Sequence, residues 1–321
     1  MRRTYSWRFV KLLAVSAALV LAAQLLVCRV TFGKRGPKPS LLPAHAHRVL
    51  SPETYQYVLD NRAVCEDRRP LLVLMVPVAP EETASRDAVR KTWGAPCRGV
   101  LTLFFVGLPR GGRALPIQGV LEEESRKYAD VIQMTFRDSY QNLTVKTMMM
   151  MNWLATHCPG ASYAMKVDSD TFVNVRPLLA RLERSPRKGF ITGSVISDGS
   201  PRRDPSSKWY LSEEAFPEER FPPYVSGAGY VFSSDLALRI SWASRFVRMV
   251  PLEDVYVGLC LRVLGVQPVY ARSLPTFRNL FEIGELEYDR RSFAKLIIVN
   301  HFEPPQLLSV WEDFSRGRGR C

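Results

Sequence analysis

Tyr163–Asn174 reads YAMKVDSDTFVN, and the fold is decided where its apolar half gives way to its acidic half. Tyr163–Val167 is a short run with one charge, Lys166, and a short apolar run bounded by polar residues predicts a buried strand. Asp168-Ser169-Asp170 then places two carboxylates on the segment leaving that strand. Upstream, the pattern of a short apolar run recurs three times. Leu71–Val76 lies between Pro70 and Pro77, Leu101–Val106 is stopped by Gly107, and Val131–Met134 follows. Helical stretches separate the runs: Ser85–Trp93, the charged Leu121–Tyr128, and the Met-rich Leu143–His157, closed by Pro159-Gly160. Strands alternating with helices predict an α/β fold with a mostly parallel central sheet and helices on both faces. Ligands of such sheets bind beyond the carboxyl ends of the strands. Met148–Met151 reads as core filling, the common use of methionine inside a helix.

The chain has 321 residues, is 46% hydrophobic and carries a net charge of +13. A charge of that size invites a nucleic-acid reading, but its distribution excludes one. Residues 1–52 hold nine Lys/Arg and no acid, and Arg316, Arg318 and Arg320 crowd the other end. Residues 53–315 hold 32 Lys/Arg against 31 Asp/Glu. The basic N-terminal end flanks Leu12–Cys28, which is free of charge. At about 1.5 Å per residue that run spans roughly 25 Å, enough for a thin bilayer. Its length, and the lack of a small-x-small site after it, favour an uncleaved signal-anchor over a cleaved signal peptide. Basic residues flank it on both sides, so charge alone does not set its orientation. The predicted organisation is a cytoplasmic tail at 1–11, a transmembrane anchor at 12–28, a proline-containing stem at 29–68 and a body at 69–321. Beyond Cys28 in the anchor, five cysteines remain, with no CxxC pair. That excludes a zinc ribbon and predicts two bridges and one leftover thiol in an oxidising compartment. Asn142-Leu143-Thr144 is a glycosylation sequon, usable if the body is luminal.

Two carboxylates two residues apart at a strand end suit Mg²⁺ or Mn²⁺ bridging a diphosphate, although Asp-x-Asp also occurs in plain exposed turns. Glu253-Asp254 opens the apolar helix Val255–Leu264. Acids there are favoured by the helix dipole, and one of them can equally serve as a general base in a cleft; the sequence leaves both open. Arg86 and Arg90 share a helix face and suit phosphate or uridine, or form a solvated basic face. Lys166 reaches either a phosphate or an acid. His301 follows the apolar run Leu296–Val299, and is either structural or the imidazole that completes a carboxylate–metal site. Ser226–Gly229 (SGAG) permits close approach of a backbone or a ligand. Trp93, Trp209 and Tyr210 are candidates to stack on sugar or uracil, or to pack in the core.

These segments together resemble the β-1,3-galactosyltransferase family, glycosyltransferase family 31, over roughly residues 65–315. The resemblance is carried by Arg86–Trp93 (RDAVRKTW), Phe104–Gly107 (FFVG), Asp138–Thr147 (DSYQNLTVKT), Tyr163–Asn174, Lys208–Tyr210 (KWY), Pro222–Phe232 (PPYVSGAGYVF) and Glu253–Leu261 (EDVYVGLCL). It implies a GT-A fold, a luminal catalytic domain in a single-pass type II Golgi membrane protein, and Mn²⁺ dependence. It further implies inverting transfer of galactose from UDP-galactose to the 3-hydroxyl of a terminal N-acetylglucosamine on a glycoprotein or glycolipid. Transfer of N-acetylglucosamine from its UDP-sugar, or a non-catalytic glycan-binding relative, are the alternatives. By the same resemblance Asp170 is the direct metal ligand, Asp168 its partner toward the ribose or a metal-bound water, and His301 a second ligand. Asp254 is the base, and Arg86, Arg90 and Asp138 are donor contacts, with Lys166 beside them. Val225 stands where related galactosyltransferases often carry cysteine, and Arg278–Tyr288 is an unfamiliar segment.

Overall fold

The structure, a computed structural model, describes residues 55–66, 68–274 and 288–317. The predicted tail, the anchor, the stem as far as residue 54, residues 278–287 of the unfamiliar segment, and Cys321 lie outside the described residues. Among the described residues no helix is long and apolar enough to cross a membrane.

The run in the quoted stretch forms strand β5 (Tyr163–Val167), with the predicted bounds. The three upstream runs form β2 (Leu72–Pro77), β3 (Val100–Leu108) and β4 (Val131–Arg137). These four pair in parallel in the order β4-β3-β2-β5. Their side chains alternate between two cores, as the two-residue period of a strand demands. Val73, Met75, Leu103 and Phe105 enter one core, while Leu72, Leu74, Val76, Phe104 and Val106 enter the other. Both faces are therefore covered, which is why the strands read as unbroken apolar runs.

Helix α2 (Thr83–Lys91) and helix α3 (Ala114–Tyr128) cover one face, and α4 (Leu143–His157) covers the other. Met148–Met151 are all buried in that second core, as expected of core filling. The sheet extends beyond β5 through β7 (Ile191–Ile196), β8 (Tyr224–Ser233) and β9 (Val269–Tyr270), in the order β5-β8-β7-β9. Strand β8 runs antiparallel to both neighbours, so the sheet is mixed, with a parallel centre. The predicted stem ends inside the folded body: β1 (Tyr57–Asp60) pairs antiparallel with β4. Helix α1 (Ala63–Glu66) carries Cys65, which is bonded to Cys158 at the end of α4. Cys97 is also disulfide-bonded, and Cys260 is the free, buried thiol among the described residues.

Past α5 (Val175–Leu182) and α6 (Asp235–Ala243), two further elements bring distant chain to the loop after β5. Helix α7 (Glu253–Leu264) points its N-terminus at β8, and the two-residue strand β10 (Ile298–Val299) pairs with β6 (Phe172–Val173).

Candidate active site

The parallel strands end together, and the polar groups collect at that edge. Asp138 follows β4. Its carboxylate accepts from the N–H of Gly107 at 2.6 Å and is paired with Lys146 Nζ at 2.7 Å. Lys146 also donates to the carbonyl of Val78 at 2.9 Å, tying the ends of β2, β3 and β4 together. Burial pulls the Lys146 pKa down, against the opposing pull of Asp138. Asp138, expected to contact the donor, is thus engaged inside the protein.

At the next strand end, Lys166 is buried beneath the acidic loop. Its Nζ donates to Asp168 Oδ1 at 2.6 Å and to the carbonyl of Gly227. It also lies 3.1 Å from Glu253 Oε1, an ion pair whose alignment falls short of a hydrogen bond. Burial opposes the ammonium charge, but Asp168 and Glu253 outweigh burial and raise the Lys166 pKa. Of its two sequence readings, pairing with acids is the one this structure displays.

Glu253 and Asp254 form the first turn of α7, where the helix dipole favours negative charge. Glu253 is buried and touches Thr147 Oγ1 at 3.2 Å and the Tyr230 hydroxyl at 3.4 Å. Burial pushes its pKa up to about 7, with Lys166 opposing and Asp254 and Asp168 reinforcing. Asp254 is only partly buried in the fold and accepts from the N–H groups of Gly227 at 3.2 Å and Val255 at 2.8 Å. Its pKa is raised too, by burial first, against those backbone donors.

Gly227 explains the SGAG stretch: the close approach it permits is that of α7. A Cβ on Gly227 would stand 2.8 Å from Glu253 Oε1 and 3.5 Å from Asp254 Oδ2. Gly227→Ala is therefore expected to displace the Glu253 carboxylate, leave Asp254 in ordinary contact, and lower any turnover at this site about ten-fold or more, since sub-ångström placement governs such steps. Steady-state kinetics on folded protein, checked by thermal melting, tests this; unchanged kcat would show that the helix end tolerates the shift.

Asp170 lies in the turn after β5. The β6–β10 pairing brings the segment after β10 against it, and the N–H of Phe302 donates to the Asp170 carbonyl at 2.8 Å. His301 is thereby set beside Asp170, in a left-handed backbone conformation (φ 74°) that costs about 1–3 kcal/mol in a non-glycine residue. Burial and then the Asp168 charge raise the Asp170 pKa, and His301 opposes them. The side chain of Asp170 receives one long hydrogen bond, from Thr171 Oγ1 at 3.4 Å. Among the described residues no group of three or more His, Cys, Asp or Glu side chains is arranged to hold a metal ion. The expected set of Asp168, Asp170 and His301 is therefore not preassembled, and the Asp168 carboxylate is paired with Lys166. Asp170 with His301 still suits Mn²⁺, which binds through few protein ligands and takes phosphate and water oxygens for the rest.

Two expected donor contacts are corrected. Arg86 is fully buried, and all five of its N–H donors are used. Two go to Glu124 at 2.7 and 2.8 Å, and the others to the carbonyls of Ala79 and Pro80 and to Thr83 Oγ1. Arg90 binds Asp130 through Nε and Nη2, reaches Asp87 and Glu124, and stacks over Phe104 and Tyr128. Neither forms a solvated face, and in this structure their donors go to protein partners that bolt α2 to α3. Trp93 is likewise core.

Tyr140 was missed by the sequence reading, although it sits in the DSYQNLTVKT stretch. It lies in a 3₁₀ turn before α4, with Lys208 Nζ 4.4 Å from its ring centre. Burial raises its pKa against a hydrogen bond from Trp209, and the charges of Asp254, Asp168 and Glu253 add to the rise. Trp209 is exposed beside it, and Tyr210, the next residue in the chain, is exposed as well. An aromatic wall thus stands next to the carboxylates, where a sugar face can stack.

The galactosyltransferase family model matches residues 84–272, a span that takes in every candidate residue except His301. β-1,3-Galactosyltransferase 2 of Mus musculus is 37% identical over 271 residues, covering 82% of this chain and 63% of the relative. The chain therefore spans less than two thirds of that relative's length. β-1,3-Galactosyltransferase 1 of Mus musculus is 38% identical over 277 residues, covering 84% of this chain and 81% of the relative. Among solved structures, the galactosyltransferase LgtC in complex with donor and acceptor sugar analogues aligns with a TM-score of 0.39 at 10% identity. That alignment covers 78% of this chain and 100% of the other, and nothing about the site follows from it.

Proposed function

Because the chain belongs to the β-1,3-galactosyltransferase family, we propose that it is an inverting hexosyltransferase moving galactose from UDP-galactose to the 3-hydroxyl of a terminal N-acetylglucosamine. The reading includes a GT-A-type fold, a signal-anchor at 12–28 and a Golgi membrane location. The observation that carries it is the pairing, at one sheet edge, of Asp254 on a helix N-terminus with the Asp168–Asp170 loop, both linked to Gly227 and Lys166.

In this mechanism Asp254 Oδ takes the proton of the acceptor 3-hydroxyl as that oxygen attacks the anomeric carbon. The bond from that carbon to the UDP oxygen breaks, and its electron pair leaves with the diphosphate. The transition state has oxocarbenium character. Two backbone N–H groups fix the direction of the Asp254 carboxylate, and burial raises its proton affinity, as a base requires. Asp168, anchored by Lys166, faces the ribose side. Asp170 and His301 would hold Mn²⁺, which as a Lewis acid neutralises charge on the departing diphosphate. Tyr140, Trp209 and Tyr210 line the acceptor side.

The test is a donor and acceptor screen on the detergent-solubilised full chain, with UDP-galactose and UDP-N-acetylglucosamine in the presence of Mn²⁺. Galactose transfer to N-acetylglucosamine acceptors is expected. Turnover with the other donor alone would make the chain an N-acetylglucosaminyltransferase. No binding of UDP with Mn²⁺ would leave a non-catalytic relative. Asp170→Ala is expected to weaken calorimetric UDP–Mn²⁺ binding about ten-fold or more, the usual scale for a lost metal contact; wild-type affinity in that variant would remove Asp170 from the site.

A further inference from the structure

The contacts around Lys166 close into a ring, one member of which, Glu253, the proposed chemistry does not itself use. Lys166 holds the Asp168 carboxylate and the Gly227 carbonyl. The N–H of the same Gly227 holds Asp254 Oδ2 at 3.2 Å. Asp254 is the chain neighbour of Glu253, and Glu253 returns to Lys166 at 3.1 Å. The ring joins three elements: Lys166 on β5, Gly227 on β8, Glu253 and Asp254 on α7. Glu253 is 6% exposed, so it is shielded from substrate, whereas the Asp168 side chain is 41% exposed. The other oxygen of Glu253, Oε2, is met by Thr147 from α4 and by Tyr230 from β8. A carboxylate buried this deeply is retained at a desolvation cost, and a fold that needed only packing would have an apolar residue there.

We propose that Glu253 is a positioning residue: through Lys166 it fixes the distance between the donor-side Asp168 and the base Asp254, so that both meet one sugar. The inference rests on the proposed transferase reading. The Asp168 main chain is already tied to β8, its N–H donating to the Ala228 carbonyl at 3.2 Å, so what the ring adds is the placement of the two carboxylates rather than of their backbones. Lys166 is the only ammonium touching Glu253 among the described residues, so neutralising either partner opens the same ring.

The test is a double-mutant cycle on the full chain with Glu253→Gln, Lys166→Met and the double variant. It reads kcat, donor KM, UDP–Mn²⁺ affinity and melting temperature, with wild type and Asp254→Asn as controls. Glu253→Gln is expected to lower kcat about 10²-fold, the cost of roughly an ångström of misplacement. UDP affinity should fall far less than kcat, since Asp168 is the one proposed nucleotide contact that Lys166 holds. The double variant should be no worse than Lys166→Met alone, because members of one unit do not add. Glu253→Asp, which keeps the charge, should recover part of the loss. If Glu253→Gln accumulates poorly, Thr147→Val and Tyr230→Phe, which free the other oxygen, should show the same kcat loss at a smaller size. Wild-type kcat in folded Glu253→Gln, or losses that multiply in the double variant, overturn the positioning role while the transferase reading stands. An inactive wild type that does not bind UDP would sink the transferase reading instead.

Discussion

Asp254→Asn is expected to bind UDP and Mn²⁺ like the wild type and to lose about 10²–10⁴-fold in kcat, the range assigned to a general base. The substitution is nearly isosteric. The amide oxygen can still accept from the N–H groups of Gly227 and Val255, so the helix end keeps its place. What is lost is the capacity to take a proton from the sugar hydroxyl. The competing base is Glu253, one residue earlier, whose pKa burial pushes up to about 7. The variant tells them apart, because only Glu253 is left to titrate in it. A base works only when deprotonated, so kcat falls as pH drops through its pKa. In the wild type the acid limb belongs to Asp254, whose pKa is raised above its ordinary value by burial. If Asp254→Asn retained substantial turnover with an acid limb near pH 7, Glu253 would be the base. Full turnover at all pH values would remove α7 from the chemistry altogether. Calorimetry with UDP and Mn²⁺ in the same preparations separates failed binding from failed transfer.

The sequence located this edge because strand ends are local events. Tyr163–Val167 and Leu143–His157 take their predicted bounds, since an apolar run ending in Asp-x-Asp and a helix ending in Pro-Gly each carry their own stop signal. Strand β7 went unread, because Thr192, Gly193 and Ser194 interrupt its apolar pattern, and its place is set by pairing with β8. Strand β1 was taken as stem for the same reason: its partner β4 lies more than 70 residues away. The fate of charges was the least legible. Nothing near Arg86 or Arg90 announces that Glu124, on another helix, will bury them. Lys166 offered two readings until α7 was laid across β8. His301 came to Asp170 through a strand pair of two residues, too short to show a period.

The same buried arginines give the largest expected effect on stability. Glu124→Ala should destabilise the fold by about 3–5 kcal/mol, the cost of stripping the partner from a buried ion pair. The reason is an asymmetry. Glu124 accepts two bonds from Arg86 and lies 2.8 Å from Arg90 Nη2. Arg90 keeps Asp130, but Arg86 has no second carboxylate and would be left buried and charged against two carbonyls and a hydroxyl. Burial on its own would raise the Glu124 pKa; hydrogen bonds and charge from Arg86, then Arg90, outweigh it and hold the pKa below its ordinary value. The sign of the pH dependence follows. A carboxyl with a depressed folded-state pKa stabilises fully above its unfolded value of 4.5 and loses that contribution as pH falls through the folded value. Wild type should therefore lose stability on acidification below that value more steeply than Glu124→Ala. The double variant Arg86→Met with Glu124→Leu should recover much of the loss, since an apolar pair of similar volume can replace a buried ion pair at little cost. Chemical denaturation at pH 7 and pH 4 measures all three. Should Glu124→Ala melt like the wild type and instead weaken UDP binding, the arginines would return to the donor site from which their geometry removes them.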